Sequence, residues 1–336
     1  MSPPLPSVLT MGEPAGIGGE LTVKAWAEFH EQLQPFFALD DPARLARAAA
    51  DCGLDIEIVT IDDPADAVSI FSDALPVIPV AANADAVPGK PSTDTAQAVL
   101  ESIERGVAYT SGGLAGALVT NPIQKETLYD AGFGFPGHTE YLAELVGGGI
   151  RPVMMLAGPS LKVVPLTVHV PLRAALDQLT TDAIVEQGIL VIQALRNDFG
   201  IQSPRLAIAG LNPHAGENGK LGSEEIEIIA PAVQRLRDTG AELIGPVPPD
   251  ALFTPRARQR YDAALCMYHD QALIPVKALD FDHAVNVTLG LPIIRTSPDH
   301  GTALDIAGRG IADPSSLVSA LKMASEISAC RNARKA

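Results

Sequence analysis

Short apolar runs alternate with longer stretches of three-to-four-residue periodicity from one end of the chain to the other. The short runs predict strands at residues 8–11, 36–39, 117–119, 153–156, 163–168, 206–209, 263–267 and 285–289. The longer ones predict helices at 17–29, 93–109, 181–198, 223–237 and 315–327. Several of these open on residues whose side chains accept from free backbone N–H groups: Ser92, Thr93 and Asp94; Thr180, Thr181 and Asp182; and Ser223 followed by Glu224 and Glu225. Strand and helix in alternation make an α/β protein of α/β/α layers with mostly parallel sheets. At 336 residues the chain exceeds the usual single-domain size, which favours two lobes. No repeat or long linker separates them.

Composition narrows the partners. Hydrophobic residues make up 47% of the chain and charged residues 19%, the profile of a globular protein. A formal charge of −16 repels phosphodiester backbones and anionic lipid, so nucleic acid and membrane partners are disfavoured. A small anion is still acceptable wherever a few cations converge. Cys52, Cys266 and Cys330 form neither a disulfide framework nor a zinc ribbon, and no basic segment with an apolar core of leader length opens the chain. A reducing, cytoplasmic setting is the expectation.

The strongest chemical signal is a recurring one: an apolar strand runs into a polar loop carrying histidine. Residues 163–168 lead to His169, residues 206–209 lead through Gly210-Leu211-Asn212-Pro213 to His214, and residues 263–267 lead through Tyr268 to His269. Ligands of parallel sheets bind outside the carboxyl ends of the strands, where these imidazoles would meet. They stand too far apart in sequence for a helical clip, so folding or dimerisation has to assemble them. Three neutral imidazoles suit a divalent ion with positions open for substrate; singly, each reads as an ordinary loop histidine. Asp270, beside His269, and Asp250, in Pro248-Pro249-Asp250, read as supporting carboxylates, proton acceptors or helix caps.

Gly12-Glu13-Pro14-Ala15-Gly16-Ile17-Gly18-Gly19 follows a strand and opens a helix, yet its spacing departs from G-x-G-x-x-G and Pro14 interrupts the turn. It is either a tight loop beside a ligand or a plain strand-to-helix turn. Residues 299–310, with His300, Gly301 and Asp305, have a composition suited to adenosine or phosphate at the start of a helix. His138, Thr139, Lys277, Asn286 and Arg295 mix a planar fork, a point charge and neutral donors, a set able to take phosphate at one end and carboxylate at the other. The plainer readings are surface ion pairs for Lys277 and Arg295 and a helix start for His138 and Thr139.

Taken in order, Gly12-Glu13-Pro14-Ala15-Gly16-Ile17-Gly18, Gly137-His138-Thr139-Glu140, Gly210-Leu211-Asn212-Pro213-His214-Ala215-Gly216-Glu217, Met267-Tyr268-His269-Asp270-Gln271 and Asp299-His300-Gly301-Thr302-Ala303 make the chain resemble the 4-hydroxythreonine-4-phosphate dehydrogenase family over residues 7–330. The resemblance implies an isocitrate/isopropylmalate dehydrogenase-like fold with the active site in the cleft between two lobes. One lobe, residues 1–125 plus 290–336, would carry the adenosine loop; the other, 126–289, would carry metal, substrate and dimer contacts. It implies metal ligation by His169, His214 and His269, the last from the partner of a homodimer; substrate contacts from His138, Thr139, Lys277, Asn286 and Arg295; and NAD or NADP against His300, Gly301 and Asp305. The implied reaction, in pyridoxal 5′-phosphate biosynthesis, oxidises the C3 alcohol of 4-phosphohydroxy-L-threonine to a 3-keto acid that decarboxylates to 3-amino-2-oxopropyl phosphate. Zinc, magnesium or cobalt would assist, with Asp250, Asp270 and Lys277 as catalytic residues. The alternatives are a dehydrogenase of a related acid such as 4-phosphothreonate, a metal-dependent hydrolase, or a binding protein without turnover.

Overall fold

The structure, a computed structural model, describes residues 4–82 and 86–335. Two compact units divide the chain: residues up to Pro152 with Leu291–Ala329, and Val153–Gly290 with the residues from Cys330 on.

The first unit holds six strands, β1 (Ser7–Thr10), β2 (Phe36–Asp40), β3 (Ile58–Thr60), β4 (Leu75–Pro79), β5 (Leu118–Thr120) and β12 (Arg295–Pro298), in the order β3-β4-β2-β1-β5-β12. All neighbours are parallel. Parallel strands need helical crossovers that cover both faces, so β1, β2 and β5 are buried along their whole length. The covers are α1 (Gly18–Phe29), α2 (Pro42–Asp51), the short α3 (Ala67–Ile70), α4 (Ala96–Ser111) and α13 (Ser315–Lys335). In α13 the buried Leu317, Ala320, Leu321, Ala324 and Ile327 trace the expected periodic stripe. Two further helices, α5 (Lys125–Asp130) and α6 (His138–Leu145), follow β5.

The second unit holds β6 (Val153–Ala157), β7 (Lys162–Pro165), β8 (Arg205–Ala209), β9 (Glu242–Val247), β10 (Ala263–Cys266) and β11 (Val285–Leu289), ordered β11-β6-β7-β10-β8-β9. The β11/β6 and β6/β7 pairs are antiparallel and the rest parallel. Its helices are α7 (Leu172–Asp177), α8 (Thr181–Asn197), α9 (Ala230–Arg237), the short α10 (Pro249–Leu252) and α11 (Pro255–Arg258), and α12 (His269–Asp280).

All eight predicted strands are present, and β3, β4, β9 and β12 are added. β3 has three residues, and the apolar runs that form β4 and β9 are broken by Pro76 and Pro79 and by Gly245 and Pro246. The predicted helix at 223–237 is divided: Glu225–Ile229 form a wide π turn ahead of α9, and Ser223 does not cap it with its side chain. Residues 299–310 are turns with no helix, because the next helix opens only at Ser315. His269 stands on the first residue of α12 and not in a loop, since β10 ends at Cys266 and passes directly into that helix.

Candidate metal and substrate site

β10 lies between β7 and β8, parallel to both, so the chain leaves these three strands side by side at one end of the sheet. His169, His214 and His269 stand on those exits. Two hydrogen-bond clamps hold the exits together. Thr167 Oγ1 donates to Met267 O at 3.2 Å, tying the β7 and β10 exits. Gln271, buried on the first turn of α12, accepts from Met267 N at 2.7 Å and donates from Nε2 to Gly210 O at 2.7 Å, tying the β10 and β8 exits. In the sequence Gln271 is visible only as the last residue of the Met267-Tyr268-His269-Asp270-Gln271 motif. Its role depends on two backbones distant in the chain.

The rings of His169 and His269 are neighbours, with centroids 5.8 Å apart. They line a cavity of about 220 Å³ with Thr167, Val170, Tyr268 and Asp270. Asp270 Oδ1 lies 2.7 Å from His269 Nδ1. With Nδ1–H donating to that carboxylate, the Nε2 lone pair is left for an electrophile. Among the described residues no group of three His, Cys, Asp or Glu side chains in one chain is placed to hold a metal ion, so His214 does not complete the pair within its own chain.

His169 (φ 52°) and His214 (φ 53°) both occupy the left-handed region, which costs a residue with a Cβ roughly 1–2 kcal/mol. His214 opens a left-handed run through Ala215, Gly216, Glu217 and Asn218. The run persists because Glu225 satisfies the backbone ahead of it: Oε1 accepts from Leu211 N at 2.8 Å and Asn212 N at 2.7 Å, and Oε2 accepts from Asn212 Nδ2 at 2.9 Å. Burial raises the Glu225 pKa, but these hydrogen bonds outweigh it and hold the carboxyl below its ordinary value. Sequence reading saw a charge at a helix start; the helix is distorted into a π turn where Glu225 reaches back. Glu225→Gln is therefore expected to weaken divalent-metal binding about 10- to 100-fold, as loss of ligand-supporting groups does, while the fold persists. Metal titration with circular dichroism as a control checks this.

Of the other candidates in this unit, Asp250 is exposed on α10, which packs beside the 213–219 segment. Lys277 is half-buried on α12, two turns beyond His269, and Asn286 is on β11 with its Oδ1 buried and unpartnered.

The first unit gathers His138, Thr139 and Arg295. His138 and Thr139 begin α6, whose N-cap, Gly137, supplies no side chain, leaving the first-turn N–H groups open. Arg295 is only 5% exposed; its Nη2 donates to Thr120 Oγ1 at 2.8 Å and its Nε at 3.2 Å. Burial pushes its pKa down to about 10, still charged at neutral pH. His138 is buried with Nε2 unpartnered. Burial, then the charges of Arg295 and Lys125, holds its pKa well below 6.5. Thr120 and Lys125 were not among the residues singled out from the sequence, because their place beside Arg295 and His138 comes from β5 pairing with β12 and from the turn into α5.

The His138 shift has a sign that can be checked. The unfolded chain takes up this proton near pH 6.5 and the folded chain only well below that, so stability is fully present above about 6.5 and is lost as pH falls. Wild type is expected to lose up to about 1.4 kcal/mol per pH unit more than His138→Gln below that point. Urea unfolding at two pH values measures the difference.

The 299–310 turns pack against the glycine loop at the start of α1. Ile17 N donates to Thr302 O at 3.1 Å, and a Cβ on Gly16 would stand 2.9 Å from that same oxygen, so only glycine fits. Gly308 N donates to Glu20 Oε1, and Lys24 Nζ donates to Gly310 O and Ala312 O, both at 2.8 Å. The glycine loop thus holds the second loop in place. In that loop Ala303 is left-handed (φ 45°), His300 Nδ1 lies 2.9 Å from Gly301 O, its Nε2 is buried without a partner, and Asp305 is exposed.

Residues 31–324 match the family model described as pyridoxal phosphate biosynthetic protein PdxA. The chain is 51% identical over 331 residues, 97% of its length and 98% of the relative's, to a 4-hydroxythreonine-4-phosphate dehydrogenase of Caulobacter vibrioides. It is 52% identical over 338 residues, again 97% and 98%, to one from Bradyrhizobium diazoefficiens. A crystal structure of 4-hydroxythreonine-4-phosphate dehydrogenase from Klebsiella pneumoniae is similar, with a TM-score of 0.86 and 39% identity, over 96% of this chain and 99% of that one.

Proposed function

This chain belongs to the pyridoxal phosphate biosynthetic protein PdxA family, and on that basis we propose that it oxidises the C3 alcohol of 4-phosphohydroxy-L-threonine with NAD and a divalent ion. The C3 hydrogen leaves as hydride and the hydroxyl proton goes to a base; the 3-keto acid then loses CO₂ to give 3-amino-2-oxopropyl phosphate. One observation supports this most directly. Among the described residues, three of the seven buried side-chain atoms without a partner are His138 Nε2, Asn286 Oδ1 and His300 Nε2. Each is on a residue assigned to substrate or cofactor from the sequence. A buried polar atom left unpaired costs about 1–3 kcal/mol and calls for a ligand or a water.

His169, His214 and His269 would hold the ion; imidazole donors favour zinc or cobalt over magnesium. When bound, the ion lowers the pKa of the alcohol and the nicotinamide accepts the hydride. Asp270 orients His269 through its hydrogen bond, which leaves Asp250, with no such engagement, as the proton acceptor. His138, Thr139, Lys277, Asn286 and Arg295 would fix the phosphate and carboxylate ends, a positioning task worth several kcal/mol. His300, Gly301 and Asp305 would hold the adenosine end of NAD or NADP, where the buried His300 Nε2 has no partner.

A homodimer is part of the reading. Leu172, Leu176, Leu221, Ile226, Ile274 and Phe281 are large apolar side chains exposed on the second unit, which also carries all three histidines, and a second copy would cover them and complete the ion site. The free state of Cys52, Cys266 and Cys330 fits a reducing cytoplasm, and no helix of the described residues is long and apolar enough to cross a membrane.

The test follows NADH absorbance with a divalent ion and either 4-phosphohydroxythreonine or 4-phosphothreonate. Reduction with the former at the higher kcat/KM is expected. Preference for the latter shifts the substrate, and phosphate release without cofactor reduction overturns the dehydrogenase.

A further inference from the structure

We infer that Lys125 is a further substrate-binding residue, and that the phosphate end of the substrate is held in the first unit at the start of α6 by Lys125, Arg295, His138 and the open N–H groups. The inference rests on the proposed activity for its substrate but not for its anion site.

Four observations converge. First, Lys125 Nζ lies 3.5 Å from the point a Cβ would occupy on Gly137, so the ammonium stands over the N-cap of α6. Second, Lys125 and Arg295 both lie near enough to the buried His138 to disfavour its charged form. Third, the Nε2 of that ring is unpartnered on a side chain 9% exposed. Fourth, Lys125 has no ion pair or hydrogen bond among the described residues, although Glu126 follows it and Glu140 Oε2 comes within 2.7 Å of the same Gly137 point.

A cation kept near a buried neutral imidazole and a helix N-terminus, with a carboxylate close by but not bonded to it, is the arrangement expected of a group reserved for an anion. The charge count selects which anion. A phosphate monoester carries nearly two negative charges at neutral pH and three acceptor oxygens. Two cations, one helix N-terminus and a neutral imidazole match that charge better than the single charge of a carboxylate. The flexible stem of Lys125, exposed on the first turn of α5, reaches an oxygen that the buried and fixed Arg295 fork leaves.

The experiment uses the full-length protein with three variants, Lys125→Ala, Lys125→Met and Lys125→Arg. Two readouts are taken: steady-state oxidation of 4-phosphohydroxythreonine, and binding of inorganic phosphate followed by calorimetry. Loss of a charge-assisted contact is expected to raise substrate KM and weaken phosphate binding together, by about 10- to 100-fold, in the alanine and methionine variants. kcat and the KM for NAD stay within about twofold, and the arginine variant recovers most of both losses. Phosphate binding equal in wild type and Lys125→Ala overturns the inference, as does failure of wild type to bind phosphate, even where oxidation proceeds normally. Phosphate binding that depends on Lys125 in a chain that never reduces NAD with this substrate sustains the anion site and refutes the activity instead.

Discussion

Replacing His214 with alanine is expected to lower kcat/KM on the order of a thousandfold and to abolish tight divalent-metal binding, with little change in thermal stability. The metal-polarised alcohol accounts for several kcal/mol of barrier lowering, and each 1.36 kcal/mol is about a tenfold change in rate. Stability is spared because the His214 side chain is exposed and alanine keeps the same left-handed backbone at about the same cost. His269→Ala is expected to behave in the same way. The two variants together test whether the ion is shared between subunits. His169 and His269 are neighbours in one chain while His214 joins no three-donor group there. If a second copy completes the site, inactive His214→Ala and inactive His269→Ala protein, unfolded and refolded together, regain activity, up to about a quarter of wild type, since half the dimers are mixed and each mixed dimer has one intact site. No recovery, with mixed dimers shown to form, would refute a shared ion.

Arg295→Met is expected to reduce kcat/KM for the phosphorylated substrate by about 30-fold to several thousandfold. Truncating one member of a buried charge pair costs about 2–5 kcal/mol. The loss should fall mostly on KM, because Arg295 holds an end of the substrate remote from C3 and grips ground state and transition state alike. Burial has already lowered its pKa to about 10, so its desolvation is met in the free protein and is not charged again on binding. Arg295→Lys keeps a charge but loses the planar fork that engages Thr120 Oγ1, and is expected to recover only part of the affinity. Wild-type KM in Arg295→Met would show that the anion binds elsewhere.

Part of the candidate site was legible because its chemistry repeats in the pattern. The run of strand, polar loop and histidine occurs three times, and the parallel order of the strands makes neighbours of two of those histidines, His169 and His269. The β8 exit, Gly210-Leu211-Asn212-Pro213-His214, reads directly as a strand ending in a tight loop, and the structure agrees. His269 was read one element too early, since a loop and the first turn of a helix differ by no more than the backbone angles of Tyr268. Glu225, Gln271 and Thr120 escaped for a different reason. Their hydrogen-bond partners lie 13, 61 and 175 residues away, and a residue's type carries no record of which distant carbonyl or guanidinium will come to it.

Periodicity and capping chemistry therefore determined the α/β class and most of the elements, and the strand-end pattern marked the candidate histidines, because each follows from neighbours in the chain. Only the tertiary structure decided that β10 would pair between β7 and β8, that Glu225 would hold the segment before His214, and that Lys125 and Arg295 would both come near one buried imidazole. Those outcomes depend on which surfaces pack and which backbone groups remain to be satisfied once they do. That balance is struck over the whole fold and leaves no mark in any short stretch of sequence.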